Sequence, residues 1–219
     1  MPYYQRRGGF FANLPVVTKN ILIINVLLWI ITELRPDFMT RAFALFYPAS
    51  PFFHWWQPVT HMFMHGGFGH LFVNMFTFLM FGCALERQWG AKKYLTFYFI
   101  TGLGAAALHL CVMALQLKMG WVPAGQLYSI PMVGASGAIY GVLMGYAMLF
   151  PDTELTLIFP PITLSAKWWI IIWIAIELLT GIFSIGGGIA HFAHLGGMLF
   201  GYILIKYWKR KGTMYQYED

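Results

Sequence analysis

Six apolar stretches, separated by polar or by glycine- and proline-bearing connections, organise this chain of 219 residues. The first runs from about Val16 to Thr32 and closes at Glu33-Leu34-Arg35-Pro36. It is longer than the roughly 7–15-residue apolar core of a secretory leader, and no small-x-small cleavage pattern follows, so it is expected to be a retained span. Arg35 to Gly69 is a long connection, yet it holds Phe38, Phe43, Phe46, Tyr47, Phe52, Phe53, Trp55 and Trp56. Aromatic residues favour the headgroup level of a bilayer, so this first loop is expected to lie half-submerged. The second span covers His70 to about Leu85, and Glu86 to Lys93 separates it from a third, Tyr94 to Leu115. A looser connection leads to Val133. The fourth span, Ser136 to Phe150, is stopped by Pro151, and Asp152 to Ala166, with Pro160-Pro161, reads as loop. Lys167 to Phe183 is the fifth span, Gly186-Gly187-Gly188 a flexible joint, and Ile189 to Tyr207 the sixth.

Composition agrees with this partition. Hydrophobic residues make up 59% and charged residues 10%, against about 25% charged in a soluble domain. The expectation is an all-α polytopic membrane protein with six transmembrane helices. Residues 1–15 form an N-terminal tail, 16–207 the membrane domain and 208–219 a C-terminal tail. The net charge of +6 does not point to nucleic acid, because the basic residues sit in connections and at the ends. Arg6, Arg7 and Lys19, then Arg87, Lys92 and Lys93, then Lys206, Lys209, Arg210 and Lys211 fall on one face if there are six spans. Both termini are therefore expected to be cytoplasmic. Cys83 and Cys111 lie inside spans and read as small buried apolar residues.

Polar residues that lipid should exclude mark the chemistry. With this topology spans two, four and six start on the outer side. Span two begins with His70 and carries Asn74 one turn below. Span four begins with Ser136, and span six carries His191 and His194 in its first turns. Ser136 to Phe150 makes about 22 Å of helix against a core of about 30 Å, so Ser136 is expected below the surface at the floor of a cavity. The non-helical Pro131 to Ala135 approach must then be screened from lipid. Gly137, Gly141 and Gly145 form one ridge, and Gly197 and Gly201 a second small-xxx-small pair. If the two meet, His194 comes within reach of Ser136. A neutral imidazole at that distance can take the serine proton during attack on a carbonyl. The Ser136 backbone N–H at a helix N-terminus, with His70 and Asn74, can hold the oxyanion. Tyr140 can orient the His194 ring by stacking. No acidic third member is evident: Glu177 and Asp152 are poorly placed by sequence. Glu177 is expected to be protonated, hydrogen-bonded or nearer an interface, the alternative being a charged group in the bundle interior with a proton role. Gly134-Ala135-Ser136-Gly137-Ala138 is not the G-x-S-x-G elbow, since alanine closes it and no α/β pattern surrounds it.

Three segments, His70-Leu71-Phe72-Val73-Asn74, Gly134-Ala135-Ser136-Gly137 and Ala193-His194-Leu195-Gly196-Gly197-Met198-Leu199-Phe200-Gly201, closely resemble the signature segments of rhomboid intramembrane serine proteases, in family order. The resemblance covers about Pro58 to Tyr207. It implies a rhomboid-like six-helix bundle that hydrolyses peptide bonds in or near transmembrane segments through an acyl-enzyme. By the same resemblance Ser136 is the nucleophile, His194 the general base, His70 and Asn74 oxyanion groups, and Tyr140 lies beneath the histidine. Gly197 packs on the serine helix, and Glu86 in Glu86-Arg87-Gln88-Trp89-Gly90 is structural. The choice of His194 over His191 rests on this match. Where many members have Trp-Arg in the first loop, this chain has Trp56-Gln57, which bears on loop anchoring.

The implied substrates are single-span membrane proteins with a small residue at the cut and an easily unwound helix. No cofactor, metal or nucleic-acid partner is expected. The expected setting, beyond the lipid bilayer itself, is a bacterial or archaeal inner membrane. Two other readings stand beside this one. One is an inactive rhomboid-like binder of transmembrane helices. The other is a metal site or transporter lined by His61, His65, His70, His191 and His194, although His61 and His65 are structural loop residues in the resembling family. The Gly186–Gly188 loop and span five are expected to move to admit a substrate.

Overall fold

Each apolar stretch becomes a helix whose ends follow from local chemistry. The computed structural model describes residues 9–157, 160–183 and 189–214. The expectations placed on Arg6, Arg7 and the Gly186–Gly188 joint lie outside the described residues. Helix α1 spans Val16–Leu34, α2 Pro36–Phe43, α3 Phe68–Trp89 and α4 Ala91–Lys118. They are followed by α5, Ser136–Leu149, α6, Ala166–Phe183, and α7, Ile189–Arg210. Helices α1, α3, α4 and α6 are long and apolar enough to cross a membrane, and α5 is a shorter apolar helix.

Short elements form inside stretches expected to be connections, among them a helix and a hairpin. Helix α2 forms inside the first connection, with Pro36 in its first turn and Asp37 beside the positive end of its dipole. The connection after α5 folds into an antiparallel hairpin, β1 Glu154–Thr156 against β2 Thr163–Ser165, with Leu155 opposite Leu164. The chain is thus mostly, not wholly, helical.

The N-terminus of α1 has no side-chain cap of its own, since Pro15 precedes it. Glu86 on α3 supplies one from elsewhere. Its Oε1 accepts the Val17 N–H at 2.8 Å, and its Oε2 accepts the Thr18 N–H and hydroxyl, both at 2.7 Å. Those N–H groups belong to the first turn and have no intrahelical partner, and a carboxylate also suits the helix dipole. Glu86 is buried, so its removal strands several donors at once. Glu86→Ala is expected to destabilise the fold by about 3 kcal/mol or more, read as a lowered thermal midpoint in detergent. Arg87→Ala, at an exposed site next door, should move it little.

Helices α4, α5 and α7 form the centre of the fold. Helix α4 buries 44% of its most apolar window, whereas α6 buries 17% and leaves Ile171, Ile176, Leu179 and Ile182 exposed for lipid. Close approach here depends on missing side chains. A methyl on Gly197 would overlap the Gly137 carbonyl oxygen, and one on Gly201 would stand 3.2 Å from the Gly141 carbonyl oxygen. Helix α7 therefore rides on the backbone of α5. The Gly137, Gly141 and Gly145 ridge also has other neighbours: Ala105 and Thr101 of α4 occupy the space beside Gly137 and Gly141, and Leu85 and Phe97 that beside Gly145. The expected meeting is seen, since Gly197 and Gly201 sit on the backbone of Gly137 and Gly141, and α4 packed on the other side of the same glycines makes it a three-helix joint. Lacking Cβ atoms, α5 admits a neighbour on each side.

The first connection is pinned by its polar groups. Gln57 is fully buried; its Nε2 donates to the Arg41 and Phe52 carbonyls at 3.0 and 2.8 Å, and its Oε1 accepts the Phe46 N–H at 3.3 Å. Glutamine thus anchors this loop by filling backbone valences. Leu45 and Met132 exchange both backbone hydrogen bonds, at 2.9 and 2.8 Å. The loop thereby covers the non-helical approach to Ser136, as an approach sunk in lipid requires. Phe38 and Trp55 stay exposed on it, the pattern of residues at a headgroup level.

Candidate active site

Ser136 opens α5. The first hydrogen bond of that helix runs from the Ile139 N–H to the Ala135 carbonyl at 2.9 Å, so the Ser136, Gly137 and Ala138 N–H groups precede the ladder and favour negative charge. The chain reaches Ser136 through Gly134, which has φ +125° and donates its N–H to the His61 carbonyl at 2.9 Å. A Cβ at Gly134 would be strained by that backbone and would stand 2.9 Å from His70 Nε2 and 3.5 Å from Ser136 Oγ. Glycine is what lets the His70 ring and the serine hydroxyl share this corner.

His194 Nε2 lies 2.9 Å from Ser136 Oγ. Below it the Tyr140 ring stacks on the imidazole, with centroids 4.1 Å apart and planes 11° apart. The Tyr140 hydroxyl donates to Glu177 Oε1 at 2.5 Å. Glu177, on α6, is the group the sequence reading did not bring here. Its Oε1 lies 3.1 Å from His194 Nδ1, off the axis of the ring N–H, and its Oε2 lies 2.6 Å from His191 Nδ1. The carboxylate is 5% exposed, so it meets these partners largely without water. A carboxylate alone in the run Ile170 to Leu179 was the available signal, because an ionisable group in an apolar helix needs partners.

The remaining expected residues fall nearby with different partners. His191 reaches Glu177 while His194 reaches the serine. Asn74 is buried one turn below His70, and its Nδ2 donates to the His70 carbonyl at 2.9 Å. One of its two N–H bonds is therefore engaged within α3. A cavity of about 690 Å³ opens beside this cluster, lined by Asn74, Thr77, Tyr140, Leu143, Trp169 and Trp173 among others. It lies between α3, α5 and α6 and reaches the β-hairpin. Among the described residues, the donors close enough to share a metal ion are Glu177, His191 and His194, within 4.8 Å of one another. Of these, Glu177 and His191 are hydrogen-bonded to each other, and His194 Nε2 is hydrogen-bonded to Ser136. His61 and His65 do not join them.

His61 and His65 stand in the loop under Gly134 and are buried. Burial pushes His61 down to about 4, against a hydrogen bond to the Gln57 carbonyl that raises it. Burial pushes His65 to about 4 as well, with neighbouring His70 adding to the effect. Both are neutral in the folded protein at pH 7, whereas unfolded histidine takes up a proton near 6.5. Above that pH neither contributes a slope. As pH falls from about 6.5 to about 4, the unfolded chain binds the protons and stability drops by up to about 1.4 kcal/mol per unit for each histidine. Thermal midpoints in detergent should therefore be flat above pH 7 and fall steadily below 6.5, and His61→Gln should shallow the fall by about half.

Comparison with known proteins adds kinship to this geometry. A family model described as Rhomboid domain matches residues 53–211. RHOMBOID-like protein 6, mitochondrial, of Arabidopsis thaliana is 33% identical over 149 residues, covering 68% of this chain and 42% of that protein. Rhomboid-like protease 3 of Toxoplasma gondii is 28% identical over 169 residues, covering 77% and 57%. Rhomboid protease AarA of Providencia stuartii is 28% identical over 159 residues, covering 68% and 54%. The chain spans about half the length of these relatives.

Proposed function

The chain belongs to the rhomboid family and is an integral, multi-pass membrane protein, and from that premise we propose an intramembrane serine endopeptidase acting through a Ser136–His194 dyad. One observation carries the reading: His194 Nε2 lies 2.9 Å from Ser136 Oγ at the head of a 14-residue helix. At 1.5 Å per residue that helix covers about 21 Å of a core of about 30 Å, which sets the serine below the membrane surface. Six spans with both termini cytoplasmic complete the proposed topology. Relatives include proteins named mitochondrial, so kinship does not narrow the expected bacterial or archaeal inner membrane.

In the proposed reaction His194 Nε2 takes the Ser136 hydroxyl proton as Oγ bonds to the scissile carbonyl carbon. Negative charge grows on the carbonyl oxygen. The Ser136 N–H, the second N–H of Asn74 and the His70 ring are the donors assigned to it. His194 then gives its proton to the leaving amine, and the acyl chain stays on Oγ. Water then bonds to the acyl carbon as it gives a proton to His194, the Oγ–acyl bond breaks with that proton passing to Ser136 Oγ, and the acid is released. The apolar cavity beside Asn74 and Tyr140 suits an unwound stretch of a single-span substrate, since a helix shields its carbonyls from attack. An inactive binder would have no use for a serine hydroxyl in contact with an imidazole.

A fluorophosphonate probe tests the nucleophile without knowledge of the substrate. The expected result is a phosphonyl mass increment on the peptide carrying Ser136, absent in His194→Ala. Labelling at another serine, or equal labelling in His194→Ala, would contradict the assignment.

A further inference from the structure

The geometry points to Glu177 as a positioning residue for His194, turning the dyad into a serine, histidine and glutamate relay. This deepens the proposed function and rests on it. The work of Ser136 requires one tautomer of His194: a lone pair on Nε2, facing the hydroxyl 2.9 Å away, and the proton on Nδ1. The Nδ1 side faces Glu177 Oε1 at 3.1 Å. A negative carboxylate 3.1 Å away, though off the N–H axis, attracts a proton on Nδ1 electrostatically, so it favours the Nδ1-protonated ring and disfavours the opposite tautomer. When the serine proton arrives on Nε2 the ring becomes a cation. A negative group in contact with the other ring nitrogen then stabilises it, in surroundings where charge interactions are stronger than in water.

Glu177 is itself held for this task from both neighbouring helices. The Tyr140 hydroxyl of α5 donates to Oε1 at 2.5 Å, and His191 of α7 contacts Oε2 at 2.6 Å. The same tyrosine stacks on the His194 ring, so one side chain sets both the plane of the base and the place of its carboxylate. On α6, Gly181 lies one turn beyond Glu177, and a Cβ there would stand 3.1 Å from the Phe192 ring and 3.4 Å from His191 Cβ. The close seating of α6 on α7 thus brings the carboxylate within reach. An apolar residue at this position would leave Tyr140, His191 and His194 Nδ1 facing one another without an acceptor.

Three variants and one spectroscopic reading test the assignment, with thermal midpoints checking that each variant folds. For cleavage of a fluorogenic transmembrane reporter, Glu177→Gln should lower kcat by about 100-fold or more with KM nearly unchanged. Glu177→Asp keeps the charge and should recover at least about tenfold of that loss. A folded Glu177→Gln with kcat within about threefold of the native chain would overturn the inference. So would an Asp variant no better than Gln. Histidine ¹⁵N chemical shifts in the resting protein read the tautomer without any turnover, with His194 assigned through His194→Gln. The Nδ1-protonated form is expected in the native chain and the Nε2-protonated form in Glu177→Ala. A native His194 protonated on Nε2 would overturn the positioning role even if the variants do not fold. A native chain that cuts nothing yet holds the Nδ1 tautomer would instead remove the peptidase reading and leave the positioning role standing.

Discussion

Ser136→Ala is expected to abolish cleavage, and His194→Ala to lower it by about 10⁴-fold or more, while both proteins remain folded. The two side chains act as one unit. Without Oγ nothing in the site can form the acyl bond, and without the imidazole the hydroxyl keeps its proton and attacks poorly. Combining the two changes should therefore add little to either alone. Neither change strands a buried charge: Ser136 and His194 are only partly buried, and Tyr140 and His191 still hold Glu177. Circular dichroism and thermal midpoints in detergent should match the native chain within about 1 kcal/mol of stability.

Gly197→Ala should cost more than its single methyl suggests. The new Cβ would overlap the Gly137 carbonyl oxygen and stand 3.3 Å from the Gly141 amide nitrogen. These are backbone atoms of α5 and cannot swing aside as a flexible side chain could. Helix α7 must shift outward, and overpacking of this kind costs about 1–3 kcal/mol. The functional loss should be larger. His194 is carried one turn away on the same helix, and a displacement of about 1 Å between reacting groups can cost about 100-fold in rate. Reporter cleavage by Gly197→Ala is expected to fall by about that factor, with a measurable drop in thermal midpoint. Gly125→Ala is the control: a Cβ there meets nothing within 4 Å, so cleavage and stability should be unchanged. Equal activity of Gly197→Ala and the native chain would mean that α5 and α7 are not held as closely as the packing indicates.

The central site was legible because its parts lie at helix starts, where a polar residue in a lipid-facing segment has to be explained. Ser136, a histidine of α7 and the stacked Tyr140 could be brought together from spacing and from the short α5, while the choice of His194 over His191 came from the family resemblance. Glu177 could not. Its place depends on how α6 is rotated against α7, where Gly181 lies against Phe192, and no local motif states that rotation. The lone carboxylate told that a partner exists, without saying which. The glycine ridge was read only in part, for a related reason: α7 was foreseen and α4 was not. A small-xxx-small repeat announces close approach, but it does not name the neighbour, and α5 turned out to have two.

Local rules would have found more of the first connection than was claimed. Pro36 followed by Asp37 is a helix start signal, and α2 begins there. The hairpin at Glu154–Thr156 and Thr163–Ser165 was hidden because three-residue strands carry almost no alternation and Pro160-Pro161 reads as turn. Gln57 showed only as a departure from the arginine of many rhomboids. That it anchors the loop through the Arg41, Phe46 and Phe52 backbone follows from where those groups end up, which is tertiary information.

The most direct test is cleavage of a doubly tagged single-span reporter by the purified chain in proteoliposomes, beside Ser136→Ala and His194→Ala. The account predicts two fragments with the native chain, cut within or next to the transmembrane segment, and an intact reporter with both folded variants. Equal cutting by all three proteins, or no cutting by the native chain across a panel of reporters with small residues and helix-breaking residues near the membrane surface, would contradict it.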